Sequence, residues 1–333
     1  MIIVTGGAGF IGANLVRALN AAGETDILVV DSLARNADKF ANLSDLQIAD
    51  FEDKQRFRAL LERGQLPRRV RAVLHQGACS DTLEQDGHYM LDNNFTTSKL
   101  LLEACQSAGV PLLYASSAAV YGAGTHFEER PERERPLNVY GYSKLLFDQY
   151  LRARLPGLVA PVMGFRYFNV YGEREAHKGR MASMVRQLYL QLCETGALRL
   201  FEGSGGYAAG EQLRDFVWVE DVVRVNLHFL ERPGPSGVYN LGSGEARSFN
   251  DLATAVVNAR REFDGAAPLP TAELVTQGVI GYRAFPDGVR ERYQSFTCAR
   301  LDALRAAGYV APMSALEQGV PAYVRSLHAT GVA

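Results

Sequence analysis

Tyr140 and Lys144 stand four residues apart in Tyr140-Gly141-Tyr142-Ser143-Lys144. On a helix that spacing puts them on one face. A neighbouring ammonium lowers a phenol's pKa, and such a tyrosine can move a proton on and off a carbinol oxygen. Ser117, within Ser116-Ser117-Ala118-Ala119-Val120-Tyr121-Gly122, would hold the same oxygen. Alone, a tyrosine and lysine so spaced usually mark an amphipathic surface helix. Their weight here comes from Ser117 and from a glycine loop far upstream.

That loop is Gly6-Gly7-Ala8-Gly9-Phe10-Ile11-Gly12, directly after the apolar run Ile2-Ile3-Val4. Gly7, Gly9 and Gly12 fit the pattern that brings backbone against a dinucleotide pyrophosphate at a helix N-terminus. Asp31 ends the next apolar run at the distance of a ribose-binding acid. Together the two sites imply a nicotinamide that exchanges hydride with a hydroxyl-bearing substrate, Lys144 bonding the nicotinamide ribose. Asp31 alone suits the free 2′-hydroxyl of NAD. Ser32, Arg35, Lys39 and Lys54 could instead hold the 2′-phosphate of NADP, so both cofactors stay open on the residues alone.

The elements that must position these residues alternate. Strands are expected at Ile2 to Thr5, Ile27 to Val30, Ala72 to His75, Leu112 to Ala115 and Val162 to Tyr167. Helices fall at Ile11 to Ala22, Phe57 to Glu62, Asn94 to Ala108 and around Tyr140. This is an α/β pattern, a Rossmann-type doubly wound parallel sheet covered on both faces. Beyond Asn169 the rhythm changes. Met181 to Cys193 and Val222 to Leu230 read as helices, Phe216 to Val219 as a strand and Ser204 to Gln212 as a loop. After the breakers Gly265 to Pro270 the chain up to Pro286 reads as irregular. The expected layout is a dinucleotide-binding domain over 1–168, with returns near 216–243 and 294–320. A smaller C-terminal α/β substrate domain takes 169–215, about 244–293 and 321–333.

Composition narrows the class. The chain has 333 residues, 47% hydrophobic and 22% charged, with net charge -2. That supports a full core. No basic block points to nucleic acid, and no apolar run or polybasic stretch to a membrane. The start enters a strand at once, which leaves no room for a signal peptide. Cys79, Cys105, Cys193 and Cys298 lack metal-ligand spacing and read as reduced thiols of a cytoplasmic protein. His75 and His88 read as packed or surface histidines, and Trp218 as core or near-core.

These segments, with Phe165-Arg166-Tyr167-Phe168-Asn169-Val170-Tyr171-Gly172, resemble the extended short-chain dehydrogenase/reductases of the nucleotide-sugar epimerase/dehydratase group. Dehydratases of that group carry an acidic pair where this chain has Ala118 and Ala119, which disfavours loss of water. Further segments are similar to the ADP-L-glycero-D-manno-heptose 6-epimerases over nearly the whole chain. They are His75 to Ser80, Met90 to Asn94, Pro136 to Lys144, His177-Lys178-Gly179-Arg180-Met181-Ala182-Ser183, Leu200 to Ser204 and Arg292 to Thr297.

The resemblance implies an NADP-dependent epimerase of ADP-heptose, acting in the cytoplasm on the lipopolysaccharide inner core as a homo-oligomer, a homopentamer by likeness. It implies Ser32, Lys39 and Lys54 at the 2′-phosphate. Gln76, Gly77, Ala78, Cys79, Ser80, Asn93 and Val170 would line the rest of the cofactor. Lys178 would be a second catalytic base that also touches the cofactor. Asn169, Arg180, Gln187, Phe201, Glu202, Gly203, Ser204, Arg214 and Tyr293 would contact substrate. The chain departs from the pattern at Gln187, usually His, and at Arg180, smaller in some members. The Gly205 to Leu213 loop reads as lengthened, and Phe263 to Tyr282 as an inserted surface excursion without a catalytic role. Two other readings stand beside this one: a UDP-hexose 4-epimerase, and a non-catalytic dinucleotide sensor.

Overall fold

The computed structural model describes residues 1–331 except Arg35, Asp287, Val289, Glu291 and Arg292. The chain divides into two compact units. The first is Met1–Tyr167 with returns at Val222–Leu241 and Leu301–Val310. The second is Phe168–Asp221, Gly242–Arg300 and the chain from Ala311 onward. Both returns are shorter than the sequence suggests.

The first unit opens with β1 (Ile2–Thr5), α1 (Phe10–Ala21), β2 (Ile27–Asp31), β3 (Asp50–Asp53), α2 (Lys54–Leu61) and β4 (Ala72–His75). It continues with α3 (Gly87–Met90), α4 (Thr97–Ala108), β5 (Leu112–Ser117), α5 (Val139–Arg152) and β6 (Val162–Tyr167). The second unit comes next with β7 (Asn169–Tyr171), α6 (Met184–Thr195), β8 (Leu198–Phe201) and β9 (Leu213–Trp218). Then α7 (Val219–Glu231) leads back to the first unit and its β10 (Gly237–Leu241). The second resumes at β11 (Ala246–Ser248), α8 (Phe249–Phe263), α9 (Thr271–Thr276) and β12 (Ile280–Arg283). The short α10 (Asp302–Ala306) belongs to the first unit and α11 (Leu316–Ala329) to the second.

The first unit is built on a parallel seven-stranded sheet, order β10-β6-β5-β4-β1-β2-β3. Its inner strands are mostly apolar, with polar residues at or next to their carboxyl ends, and β1, β2, β4 and β6 are buried at every position. Helix-covered parallel strands require that pattern. Strand order reverses between β1 and β4. A doubly wound sheet binds its ligand beyond the carboxyl ends of the strands at such a reversal. The glycine loop leaves β1 there, and Gln76–Ser80 leaves β4.

The second unit has a three-stranded sheet, order β11-β9-β7, and the parallel pair β12-β8. Its core joins Leu188, Leu198, Leu252, Val256, Leu274 and Val320.

The structure corrects the reading of Phe263 to Tyr282 as a surface excursion, and of the chain up to Pro286 as irregular. Gly265, at φ 67°, does end the run of α8. Past Pro270 the chain then forms α9, whose Leu274 is fully buried, and β12, which pairs with β8 from Ile280↔Leu198 to Arg283↔Phe201. Four-residue strands hold too few positions to show alternation, and the breakers on either side hide them. Two shifts are smaller. The expected helix Met181 to Cys193 begins at Met184, because Ser183 caps it. The expected helix from Asn94 is a wide π turn until Thr97.

Candidate active site

Helix α5 starts where Asn138 caps it, its side-chain oxygen accepting from Gly141 N at 2.8 Å. That start sets Tyr140 and Lys144 one turn apart. A Cβ on Gly141 would lie 2.7 Å from the Ala119 carbonyl, so glycine lets the helix close on the turn after β5. Ser117, last residue of β5, acts on the Tyr140 phenol to lower its pKa, and its Oγ accepts from Ala119 N at 3.2 Å. Lys144 is buried, and its ammonium donates to the Ala115 carbonyl at 2.8 Å. Burial lowers the Lys144 pKa to about 8, against the charge of Asp148, which raises it. Burial also pushes the Tyr140 phenol above its ordinary value, against the Ser117 bond. The lysine-driven lowering expected from sequence is therefore not the net effect here.

Behind this face lies an ionic network the sequence reading missed. Asp148, one turn beyond Lys144, accepts from Tyr114 OH (2.8 Å), Ser116 Oγ (2.9 Å) and Arg166 Nε (2.9 Å). Arg166, wholly buried, also pairs with Glu134 and donates to the Tyr121 hydroxyl at 3.0 Å. Arg152 closes on Glu134 at 2.7 Å, and Tyr121 OH donates to Asn240 Oδ1 at 2.6 Å. Two arginines face two carboxylates, which is the condition for burying charge. The available signal was Asp148 at the next helical step after Tyr140 and Lys144, on a buried face.

The glycine loop is tight. Gly6 has φ 66°, and a Cβ there would sit 2.7 Å from Gly77 N. On Gly12 it would sit 2.1 Å from the Gly6 carbonyl. Gly9 caps α1 in extended conformation, Phe10 is buried and Ile11 half-buried in its first turn. Asp31 accepts from Ala8 N at 2.9 Å and Ser32 N at 2.7 Å, and is ion-paired by Lys39. Lys54 donates to Asn93 Oδ1 at 3.0 Å. Asn94, beside Asn93, accepts from Cys79 N at 2.8 Å and returns a bond to the Cys79 carbonyl at 2.9 Å, so it shapes the segment Gln76–Ser80. Gly77 N donates to Thr5 Oγ1 at 3.1 Å, and Ala78 and Ser80 complete the segment. His75 is a packed histidine held between Thr5 (2.6 Å) and Ser98 (2.8 Å), its pKa lowered to about 3 by burial. Gln76 Nε2 is buried and, among the described residues, has no hydrogen-bond partner. An orphaned donor beside a loop with no room for Cβ atoms fits a dinucleotide with polar groups to offer. Arg35 lies outside the described residues.

In the second unit, Lys178 and Arg180 flank Gly179 in the turn Ala176–Met181, where Gly179 takes φ 53°. Burial lowers the Lys178 pKa, and the Glu175 charge raises it. Gln187 donates to the Ala182 (2.7 Å) and Arg180 (3.2 Å) carbonyls, bracing this turn. Asn169 and Val170 lie on β7, Asn169 exposed.

Phe201 ends β8, and around it the structure gathers an aromatic cluster. Tyr293 stands edge-on to Phe201 at 5.9 Å, and Phe285 stacks on it at 4.5 Å. The buried Arg214 lies over Tyr293 at 5.0 Å and over Phe249 at 5.7 Å, its pKa lowered by burial. Arg283 lies over Phe201 at 5.1 Å. Glu202 and Gly203 accept from Arg290 at 3.1 and 3.2 Å, and Ser204 meets Ser295 Oγ at 3.1 Å. Cations over aromatic rings suit a nucleotide's flat base and charged diphosphate. Arg283 and Phe285 escaped the sequence reading because the strand that ends at Arg283 did. Arg292 lies outside the described residues. Among these there is no cluster able to hold a metal, and all four cysteines are free. Trp218 is partly buried against the second core.

The pattern of the NAD dependent epimerase/dehydratase family matches residues 2–242. The chain belongs to that family. It is similar to the solved ADP-L-glycero-D-manno-heptose-6-epimerase of Helicobacter pylori, at 29% identity over 98% of this chain and 96% of that one, with a TM-score of 0.78. It is also similar to a UDP-glucose 4-epimerase of Thermotoga maritima, solved with UDP-glucose, at 25% identity over 99% of both chains and a TM-score of 0.77. A Thermus thermophilus UDP-glucose 4-epimerase, solved with NAD, matches at 25% identity over 98% of both, TM-score 0.72. No helix among the described residues is long and apolar enough to cross a membrane.

Proposed function

We propose that this family member is an NADP-dependent epimerase that inverts C6″ of ADP-D-glycero-D-manno-heptose to the L-glycero epimer. The observation that carries the reading is the Lys144 ammonium, buried one turn beyond Tyr140 on α5 and bonded at 2.8 Å to the Ala115 carbonyl of the strand that ends in Ser117. The heptose assignment is supported by the 29% identity to the Helicobacter pylori enzyme over nearly the full length of both chains, and by the His177–Ser183 run. NADP is supported by Lys39, whose ion pair neutralises Asp31. The assembly this reading carries with it is a homopentamer, working in the cytoplasm on the lipopolysaccharide inner core.

A nicotinamide dinucleotide held by the glycine loop, Asp31 and Gln76 would supply the group that takes up and gives back the C6″ hydride. The chain's own groups handle the proton. Inversion needs one acid–base group for each face of the C6″ ketone. Tyr140, held by Ser117, serves one face, and Lys178 the other. One takes the hydroxyl proton as the ketone forms; the other supplies a proton when the ketone is reduced from its opposite face. No net oxidation results.

Turnover with ADP-D-glycero-D-manno-heptose and with UDP-glucose tests the reading, since the Thermotoga maritima likeness makes the hexose the direct competitor. Tyr140→Phe and Lys178→Met should each cut heptose epimerisation by about 10² to 10⁴, the weight of positioned acid–base catalysis. On a 6″-aldehyde analogue, which can be both oxidised and reduced at C6″, each variant should keep part of its redox activity. Normal kcat with only a raised KM in Lys178→Met would make Lys178 a binding residue and end the two-base mechanism. Turnover of neither sugar would favour a non-catalytic dinucleotide sensor.

A further inference from the structure

Glu175 is wholly buried, three residues before Lys178. Its carboxylate accepts from Ser183 N at 2.6 Å, from the Ser183 hydroxyl, and from Tyr323 OH at 3.0 Å. Its carbonyl accepts from Lys178 N at 3.0 Å. One residue thus joins three pieces of the second unit, the Lys178 turn through its carbonyl and the cap of α6 and the middle of α11 through its carboxylate. Ser183 spends its own Oγ twice, donating to Glu175 and accepting from Arg186 N as the helix cap. A carboxylate is expensive to bury, and three donors exceed what holding one turn requires. An amide or an apolar side chain would fill that space without charge.

We propose that Glu175 is a positioning residue for Lys178: its hydrogen bonds fix the turn Ala176–Met181, and its carboxylate, when ionised, lends negative charge to the Lys178 ammonium. Burial lowers the Lys178 pKa and the Glu175 charge opposes that fall, so an ionised Glu175 favours the protonated amine, while burial and the three donors pull the carboxyl's own pKa in opposite directions. Tyr323, with Arg186 acting on its hydroxyl, and Lys178 itself are the titratable groups around Glu175; Arg174, His177 and Arg180 share its stretch of chain. The inference rests on Lys178 as an acid–base group, and its test is separable from that reading.

The test uses the full chain with its co-purified cofactor, reductively methylated with ¹³C-formaldehyde. Lys178→Met assigns the Lys178 methyl signal. Glu175→Gln keeps the size and acceptor oxygen and removes the charge. Its Lys178 signal should titrate about one pH unit lower than in the wild type, as for loss of a nearby opposite charge. The kcat limb set by Lys178 should move the same way, because a lower pKa shifts an acidic or an alkaline limb alike to lower pH. Superimposable titrations in wild type and Glu175→Gln overturn the proposal. Glu175→Asp retains the charge and gives a second, independent arm: its titration should stay with the wild type, and a shift as large as that of Glu175→Gln overturns the proposal too. If Lys178→Met epimerises at normal kcat, the proposed mechanism fails while the methyl titration still decides the role of Glu175.

Discussion

Replacing Asp148 of α5 by Asn removes one charge from the buried ionic network and leaves the side-chain shape intact. Asp148 has no exposed surface and takes three donors, from Tyr114, Ser116 and Arg166. An amide offers one acceptor oxygen, so at least one donor then faces an NH₂ group. Arg166, equally buried, keeps Glu134 but loses half its counter-charge. Removing one partner of a buried pair costs about 3–5 kcal/mol, and the remaining Glu134 argues for about 3. A domain near two hundred residues loses about 2–4 °C per kcal/mol, so thermal unfolding of the cofactor-saturated protein should drop by roughly 6–12 °C. A second effect falls on chemistry. Asp148 holds the Lys144 pKa up against burial, so the lysine should lose its proton below its present value of about 8. The alkaline fall of kcat/KM should then begin at lower pH than in the wild type. The double variant Asp148→Asn/Arg166→Met should recover part of the lost stability, since no unpaired cation remains. An Asp148→Asn melting point within about 2 °C of wild type, with an unmoved alkaline limb, would refute the reasoning on both counts.

Other outcomes rest on the same geometry. In the wild type, kcat/KM should fall as pH rises through about 8, because the Lys144 folded-state pKa is depressed to that value and the ammonium is needed; a flat profile across that range would refute it. Lys39→Ala should weaken NADP by about tenfold and NAD less, because the bared Asp31 carboxylate repels only the 2′-phosphate; equal weakening in equilibrium titrations would remove Lys39 as the discriminator. Arg214→Ala should raise the KM for ADP-heptose by about tenfold while the cofactor still co-purifies, and an unchanged KM would take Arg214 out of the substrate site.

What could be read in advance divides by range. The parallel sheet was legible because β1, β2, β4 and β6 are buried on both faces and so are mostly apolar, with polar residues at or next to their carboxyl ends. Tyr140 and Lys144 were legible because a helical period relates them within a few residues. The partners of those side chains were not. Arg166 reaches Glu134 and Tyr121 from another strand, and Asn240 joins Tyr121 from a return of the chain. Glu175 meets Tyr323 from the last helix. No spacing rule links positions so far apart. The aromatic cluster around Phe201 failed for a different reason. Arg283 and Phe285 come after Gly265 to Pro270, and a four-residue strand after strong breakers looks like loop until its partner β8 is known.

The same division explains why a lysine can be buried at the reactive face at all. Lys144 has no carboxylate bonded to it among the described residues; its ammonium is satisfied by the Ala115 carbonyl on the strand that ends in Ser117. Burial should expel the charge, and the depressed pKa shows that it partly does. Asp148 opposes this from one turn away, yet its own charge is largely spent on Arg166. Lys144 is therefore left poised close to neutrality, neither fully compensated nor discharged. Had Asp148 bonded Lys144 directly, the lysine would be held as a structural cation with one hydrogen fewer to offer elsewhere. Routing the carboxylate to Arg166 leaves the Lys144 ammonium two further hydrogens, beyond the one given to Ala115, for a ribose and for the phenol's field. The buried network thus ties β5, β6 and α5 together while it withholds full neutralisation from Lys144, the lysine that the proposed proton transfer sets beside Tyr140.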